Sequence, residues 1–409
     1  MNRLIPDLAF MLGVATRPRQ HPTQLAYVNG FAYGVGLNML GLLIPLYALD
    51  QGYDLRNLGI IVAAPAFFMV LLRLPGGAIS DRFGEKVVLW FSFGALTLSS
   101  LIAVTSGSLI ALIVAQLFNG ASRSVYWSAG QSYASRSAEG EAGRVLGRLL
   151  SFESSGGILG GIVIGFVAQF VGYPIAFAIA AVVNGSGLLV TGLLPKLQRK
   201  DQIRDFWSML KPAAKMLVQR RLAFAYVVAF SAAAYAGLIG GLFLAFFKEV
   251  GYEEGVVGVI RSLNSAGLAA IAYVFGTILS RFGPRTTGAL GITLTGALSL
   301  VVIHTSDFAI LSIGLMTAAG ATFGSLRALY PSLAAQNSPP HMRGVALSAV
   351  SLYWAFAMLI SPLAFGFIAE ATSITEALTI FGVLSVAVGV LSPVVWFWSQ
   401  RGTGDAGID

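Results

Sequence analysis

Among the few charged side chains inside long apolar runs, four are the residues of this sequence best placed to bind or move charge: Arg123, Glu153, Arg261 and Arg327. A charge in such surroundings costs roughly 2.5–3.5 kcal/mol on insertion scales, so each needs a partner or a task. Arg123 shares a helical face with Gln116, Asn119, Tyr126 and Trp127, at spacings of three and four that stack side chains on one another. Glu153 is the one acid well inside an apolar run. It and Arg123 lie roughly two helical turns from the polar connection between their segments, which puts them at similar depth. Two readings stand. As a structural ion pair they offset each other's burial; as a working pair, Glu153 takes up a proton when a substrate displaces it from Arg123. A guanidinium suits an anionic or zwitterionic solute, because its planar fork holds a carboxylate or phosphate through two hydrogen bonds.

Other polar groups in these runs are secondary candidates for solute binding. Arg261 and Asn264 are three apart, and Arg327 shares a face with Phe323 and Tyr330. Snorkelling to a nearby interface is the competing account of Arg327. Asn29 and Tyr33, four apart, fit either a cavity wall or a helix–helix hydrogen bond. Tyr126, Trp127, Tyr330 and Trp354 offer apolar surface for the body of an amphipathic organic anion. The three histidines, His21, His304 and His341, are isolated and near or outside the ends of the runs, so no metal site is expected. No cofactor is expected either. No segment matches the phosphate-binding pattern G-x-x-x-x-G-K-[ST], and no nucleophile, base and orienting group come together in a motif. With no Cys there is no thiol or disulfide chemistry. The chain reads as a non-enzyme.

The elements that hold these residues follow from composition. The 409 residues are 56% hydrophobic and 11% charged, where soluble chains carry about a quarter charged residues. A spanning helix needs roughly 20 apolar residues, and runs of that length recur at 25–49, 57–80, 87–105, 108–130, 145–171, 173–194, 222–247, 255–279, 286–304, 308–331, 344–369 and 375–398. They lack the period-two alternation of barrel strands, and a bilayer leaves only helices or closed barrels. Twelve transmembrane helices in an all-α fold are therefore expected. Pro6 and Asp7 interrupt the first apolar patch, so the first span is expected to act as its own insertion signal.

The net charge of +8 follows topology. Arg3, Arg17, Arg19 and eight Lys/Arg between Lys196 and Arg221 gather on one side. Asp50, Asp54, Glu249, Glu253, Glu254, Glu370 and Glu376 fall at the opposite ends of the runs. The positive-inside rule makes both termini and the central connection cytoplasmic. The basic residues are not interleaved with stacking aromatics, which speaks against nucleic acid as a partner. The central connection, 195–221, keeps helical spacing at Ile203, Phe206, Trp207, Leu210, Ala214 and Leu217 and is expected to lie as an amphipathic helix on the inner surface. It separates 25–194 from 222–398. Residues 1–24 form a cytoplasmic leading segment and 399–409 a tail.

The two parts are copies. GAISDRFGEK at 77–86 and GTILSRFGPR at 276–285 share Gly, Ile, Arg, Phe and Gly at an offset of 199 residues (77 to 276). That offset also carries Asp50-Gln-Gly-Tyr53 onto Glu249-Val-Gly-Tyr252, Gly59 onto Gly258, and Arg144 onto Arg343. Each copy holds an even number of spans, so the two lie parallel in the membrane.

In the first copy the connection after span two carries Gly77, Asp81, Arg82, Gly84 and Lys86, and in this it resembles the G-x-x-x-D-R/K-x-G-x-R/K signature of the major facilitator superfamily. A degenerate second copy, Gly276, Arg281, Gly283 and Arg285, follows span eight. The resemblance covers nearly the whole chain. It implies two six-helix bundles rocking about a central cavity, and a secondary transporter working by alternating access in a plasma (inner) membrane, functional as a monomer. It also assigns Asp81 to a cytoplasmic gate in which the carboxylate faces a helix N-terminus of the other half, worth about 0.3–1 kcal/mol; Arg73, two turns before Asp81, is placed by its position with the gate, the substrate site being the alternative. Ser280 replaces the acid in the second copy, so that latch is expected to be the weaker. Many proton-coupled drug exporters of the superfamily carry an acid in span one and a Gly-Pro signature in span five. Here span one lacks the acid, and Ile162 follows Gly161 in the Gly157, Gly161, Gly165 series. The expected activity is transport of a small amphipathic organic anion, with protons as the candidate coupling ion through Glu153. Proton-driven efflux of lipophilic compounds is the alternative, and a transporter-like sensor or lipid-moving protein the alternative of another class.

Overall fold

Apolar runs too long for a soluble core become helices here because every backbone amide must find its partner within the segment. The computed structural model describes residues 22–72, 76–137, 142–197, 215–339 and 342–401, and at 76–78, 81 and 142–143 the backbone alone. Arg73, His21, His341, the middle of the expected linker helix and the side chain of Asp81 lie outside that description. Among the described residues there are no strands.

The helices are α1 (Pro22–Asp50), α2 (Leu55–Leu72), α3 (Gly76–Phe83), α4 (Glu85–Thr105), α5 (Leu109–Arg136), α6 (Ala142–Val171), α7 (Tyr173–Leu193), α8 (Ala223–Ile239), α9 (Leu242–Glu249), α10 (Glu254–His304), α11 (Ala309–Gln336), α12 (Arg343–Ala371) and α13 (Ile374–Gln400). Eleven segments of the described chain are long and apolar enough to cross a membrane. One of them, α10, has 51 residues, about 76 Å of helix against a hydrocarbon core of about 30 Å. It is two spans. At Gly283 the backbone leaves helical geometry, with φ 73° and ψ 164°, and Pro284 follows. The limbs 254–282 and 284–304 correspond to the expected spans eight and nine, which brings the total to twelve. Span seven also differs from one uninterrupted run. It breaks into α8 and α9 at Gly240-Gly241, where two residues without side chains weaken the helix most.

The duplication is written into the backbone. Gly52 and Gly251 both have positive φ (77° and 98°), as do Gly84 and Gly283 (86° and 73°), each pair at the repeat offset. After the first pair, Tyr53 donates its hydroxyl to the Gly107 carbonyl at 2.9 Å, and its counterpart Tyr252 donates to the carbonyl of Ser306, the counterpart of Gly107. Each half thus starts and finishes its six spans at the same end of the bundle. That end carries Gly84 and Gly283; the other carries Tyr53 and Tyr252.

The halves meet along two related pairs of helices, α2 against α12 and α10 against α6. Gly59 lies against Pro362 and Gly366, and its counterpart Gly258 lies against Gly161 and Gly165. A Cβ at any of these glycines would run into backbone or side-chain atoms of the facing helix. Small residues serve a membrane protein here because helix association relies on close packing, with no hydrophobic drive from the lipid.

Candidate functional site

α5 and α6 run antiparallel and between them form an open cavity of about 270 Å³ lined by Tyr126, Trp127, Gln131, Leu146, Gly147, Leu149, Leu150 and Glu153. The polar face of α5 expected from its spacing supplies Tyr126 and Trp127; Glu153 supplies the acid from α6. The second half contributes from across the interface. The guanidinium of Arg327, on α11, lies 5.2 Å from the centre of the Trp127 ring, a cation–π contact that joins the halves. Glu153 feels the positive charges of Arg327 and then Arg123, while Arg123 in turn feels Arg327 and Glu153. Arg123 keeps its Nε buried and without a hydrogen-bond partner. Two guanidinium groups thus act on one carboxylate; Glu153 is the charged residue of the cavity lining, and Arg123 and Arg327 stand behind that lining.

Behind this wall the polar residues of α1 are engaged in packing. Tyr33 stacks flat on Tyr126, with ring centres 3.3 Å apart and 3° between planes, and Phe93 meets both rings edge-on. Tyr126 donates its hydroxyl to Asn29 Oδ1 at 3.3 Å, and Asn29 Nδ2 donates to Thr191 Oγ1 at 2.8 Å. Asn29 therefore ties α1 to α5 and α7. Asn119 donates to Gln116 one turn earlier. In the second half Asn264 is buried and donates to Tyr235 Oη at 2.6 Å and to the Met316 carbonyl at 2.7 Å, which binds α10 to α8 and α11. Phe323, Tyr330 and Trp354 cluster with ring centres 5.6–6.1 Å apart. Arg261 reaches across the halves and donates to the Gly41 carbonyl on α1. Arg123, Arg327, Trp127, Tyr126 and Glu153 are thus brought together, while Asn264, Tyr330 and Trp354 sit in the packing of the second half and Arg261 in the contact between halves.

At the Tyr53 end, two helix starts are capped by the opposite half. The first amide of α2, Leu55 N, donates to Glu370 Oε2 on α12 at 2.9 Å. In the first turn of α10, Gly255 N, one position past the counterpart of Leu55, donates to Gln169 Oε1 on α6 at 3.2 Å. First-turn amides have no partner in their own helix, so each cap satisfies a donor that would otherwise need water. Tyr173 adds a third cross-half bond, donating to Glu254 Oε1 at 3.1 Å, an oxygen that also accepts from Lys248 at 2.8 Å. Gln169 and Tyr173 did not stand out in the sequence, and Glu370 did so only as an acid at the end of a run.

At the Gly84 end, Lys86, Glu85 and Arg285 make contacts within their own halves. Lys86 donates to the carbonyls of Gly192 and Leu194 at 2.6 and 2.7 Å, capping the C-terminus of α7, where positive charge is favoured. Glu85 pairs with Arg136 and accepts from Ser132 at 2.9 Å, fastening α4 to α5. Arg82 lies over the ring of Phe83 and, in the second copy, Arg281 over Phe282; Arg285 covers Phe397. Ser280 turns its hydroxyl back to the Thr277 carbonyl of its own helix. A Cβ at Gly276 would meet open space.

Comparison with known proteins agrees with this architecture. A sequence model described as the Major Facilitator Superfamily matches residues 26–355 and 225–406. Among curated relatives, the 4-hydroxybenzoate transporter PcaK of Acinetobacter baylyi is 34% identical over 83 residues, which is 20% of this chain and 18% of that protein. The quinolone resistance protein NorA of Staphylococcus aureus is 24% identical over 96 residues, 24% of this chain and 25% of NorA. These matches thus span a quarter or less of either relative. Among solved structures, the nucleoside transporter NupG superposes with a TM-score of 0.76 at 14% identity, covering 92% of this chain and 99% of NupG. A POT family transporter in complex with 5-aminolevulinic acid gives 0.72 at 14%, covering 93% and 97%. The twelve spans, the two parallel copies and the match along nearly the full length identify the chain as a member of the Major Facilitator Superfamily, a membrane transporter and not an enzyme.

Proposed function

We propose that this transporter carries a small amphipathic organic anion, held between Arg123 and Arg327 against the rings of Trp127 and Tyr126, with Glu153 as the proton-coupling group. The observation that carries the reading is the pair of guanidinium groups, one from each half, that act on Glu153, the single carboxylate of the cavity wall. A solute carboxylate entering there finds two positive groups and competes with Glu153 for them, which favours protonation of Glu153. PcaK lends support, since its named solute is an aromatic carboxylate. Lys and Arg outnumber acids at the Gly84 end, and acids predominate at the Tyr53 end. By the positive-inside rule the Gly84 end is then cytoplasmic, in a cytoplasmic membrane, and the chain is captured closed to the outside. Gly77, Asp81, Arg82, Gly84 and Lys86, with Arg73, form the inner gate on this reading, and the monomer is the working unit.

A thermal-shift screen of purified protein against 4-hydroxybenzoate, benzoate, quinolones and lipophilic cations tests the substrate class. A solute at a hundred times its Kd stabilises by roughly 2.7 kcal/mol. Aromatic anions are expected to raise the melting temperature, and Arg123→Ala and Arg327→Ala to erase the shift. Stabilisation by lipophilic cations alone, intact in Arg123→Ala, would instead establish the efflux reading, which the apolar side chains of Leu146, Leu149 and Leu150 and the resemblance to NorA favour. Flux into proteoliposomes separates both from a sensor or lipid mover, which would bind the solute and move none.

A further inference from the structure

Helix α1 carries a proline in its interior, Pro45. Proline has no amide hydrogen, so the carbonyl four residues earlier, that of Gly41, loses its donor within the helix. An unpaired carbonyl is costly where no water is at hand. The donor comes from the other half of the protein: Arg261 on α10 gives Nη1 to Gly41 O. Gly41 is what admits the guanidinium, since a Cβ at that position would lie 2.6 Å from Arg261 Nη2. Helix α13 has the same defect and a different remedy. There Pro393 deprives the Gly389 carbonyl, and Ser392 of the same helix donates to it at 2.8 Å. That repair travels with its helix. The repair at Gly41 exists only while the halves are together.

We infer that Arg261 is a positioning residue of the transport cycle, holding the Tyr53 end shut by supplying the hydrogen bond that Pro45 withholds from Gly41. Arg261 lies two turns inward from the cross-half cap at Gly255, between the closed end and the site. Parting the halves at this end separates a charged donor and an orphaned acceptor in one movement, so the cost falls on the open state. The inference concerns the halves alone and is independent of which solute is carried, so its failure would leave the substrate reading untouched.

The chain has no cysteine, so spin labels placed at Thr105→Cys and Thr375→Cys report without background. Both positions are exposed at the Tyr53 end, one in each half. Pulsed electron resonance on the labelled full chain in lipid nanodiscs, with no solute added, gives the share of molecules open at that end. Arg261→Ala is expected to raise that share about tenfold, the loss of one charge-assisted hydrogen bond. Gly41→Ala should act in the same direction with Arg261 still present, through the clash with Nη2. Pro45→Ala should do so as well, because its restored amide pairs with Gly41 in both states and removes the penalty on opening. In the Arg261→Ala background, however, Pro45→Ala should raise the melting temperature, since it repairs the orphan that the first substitution leaves. Unchanged distances in Gly41→Ala and Pro45→Ala would overturn the inference even if Arg261→Ala failed to fold. So would a Pro45→Ala substitution that shifts the melting temperature equally in both backgrounds, which is the signature of helix geometry alone.

Discussion

One carboxylate cannot pair fully with two guanidinium groups, and Glu153 stands in the fields of both Arg327 and Arg123. The proposed coupling role turns on this competition. When an anionic solute takes the arginines, the carboxylate loses its counter-charges inside the membrane and a proton becomes its cheapest partner. Glu153→Gln mimics the protonated state permanently. It is therefore expected to abolish uptake driven by a pH gradient while sparing exchange of solute for solute, measured with labelled solute in proteoliposomes. A mutant that still concentrates solute against its gradient would place coupling elsewhere. The sequence made the charges themselves legible, because a charge inside an apolar run stands out. Their partners were less so. Arg327 shares a face with Phe323 and Tyr330 in its own helix, yet the ring beneath its guanidinium is Trp127, 200 residues earlier in the chain. The acceptor of Arg261 is a backbone carbonyl, to which every residue type contributes alike; its only local sign was a proline four positions on.

At the level of the helix, length and hydropathy fixed the spans, and the repeat fixed their pairing. The glycine that divides α10 was marked by its counterpart Gly84, since both connections need a positive φ that other residues resist. The break between α8 and α9 was hidden, because two glycines in an apolar run do not alter its hydropathy and the packing around them decides whether the helix bends. The cross-half caps were hidden for another reason: Glu370 lies 315 residues from Leu55, and Gln169 86 from Gly255, so no local pattern couples them. These caps sit at helix starts related by the duplication but differ in position by a residue or two and in charge. A carboxylate at a helix start gains about 0.3–1 kcal/mol from the helix dipole, and a neutral amide gains less. Glu370→Gln is therefore expected to raise the share of molecules open at the Tyr53 end about two- to fivefold by the same amount of energy, and the effect should fade as salt is raised. Gln169→Glu should lower that share at α10. The spin-label distances described above read both; equal and salt-independent responses would show that the caps act by hydrogen bonding without the dipole.

Across the whole molecule, the two ends of the bundle are built on the same plan and stand in opposite conditions. At the Tyr53 end the paired glycines, the reciprocal caps and Arg261 all engage the other half. At the Gly84 end Lys86, Glu85 and Arg136 engage their own half, and Gly276 faces open space. A transporter that rocks about its centre must exchange one set of contacts for the other, so the energies of the two closed ends have to be nearly matched; a difference of about 5.5 kcal/mol would move the populations from 99:1 to 1:99. The gate proposed for Asp81 would supply the balancing contact at the Gly84 end, while Ser280, its counterpart, gives its hydroxyl to its own helix. The weight of that gate should therefore fall on the first copy. Asp81→Asn is expected to slow the cycle several-fold with solute affinity unchanged, because the proposal assigns Asp81 to the gate and not to the site of Arg123 and Glu153, whereas Ser280→Ala should leave both quantities near normal. Flux and affinity measured together on the same preparations decide the matter. Loss of affinity in Asp81→Asn with unimpaired turnover of bound solute would move Asp81 out of the gate, and normal transport by Gly77→Leu would remove the close helix approach on which that gate depends.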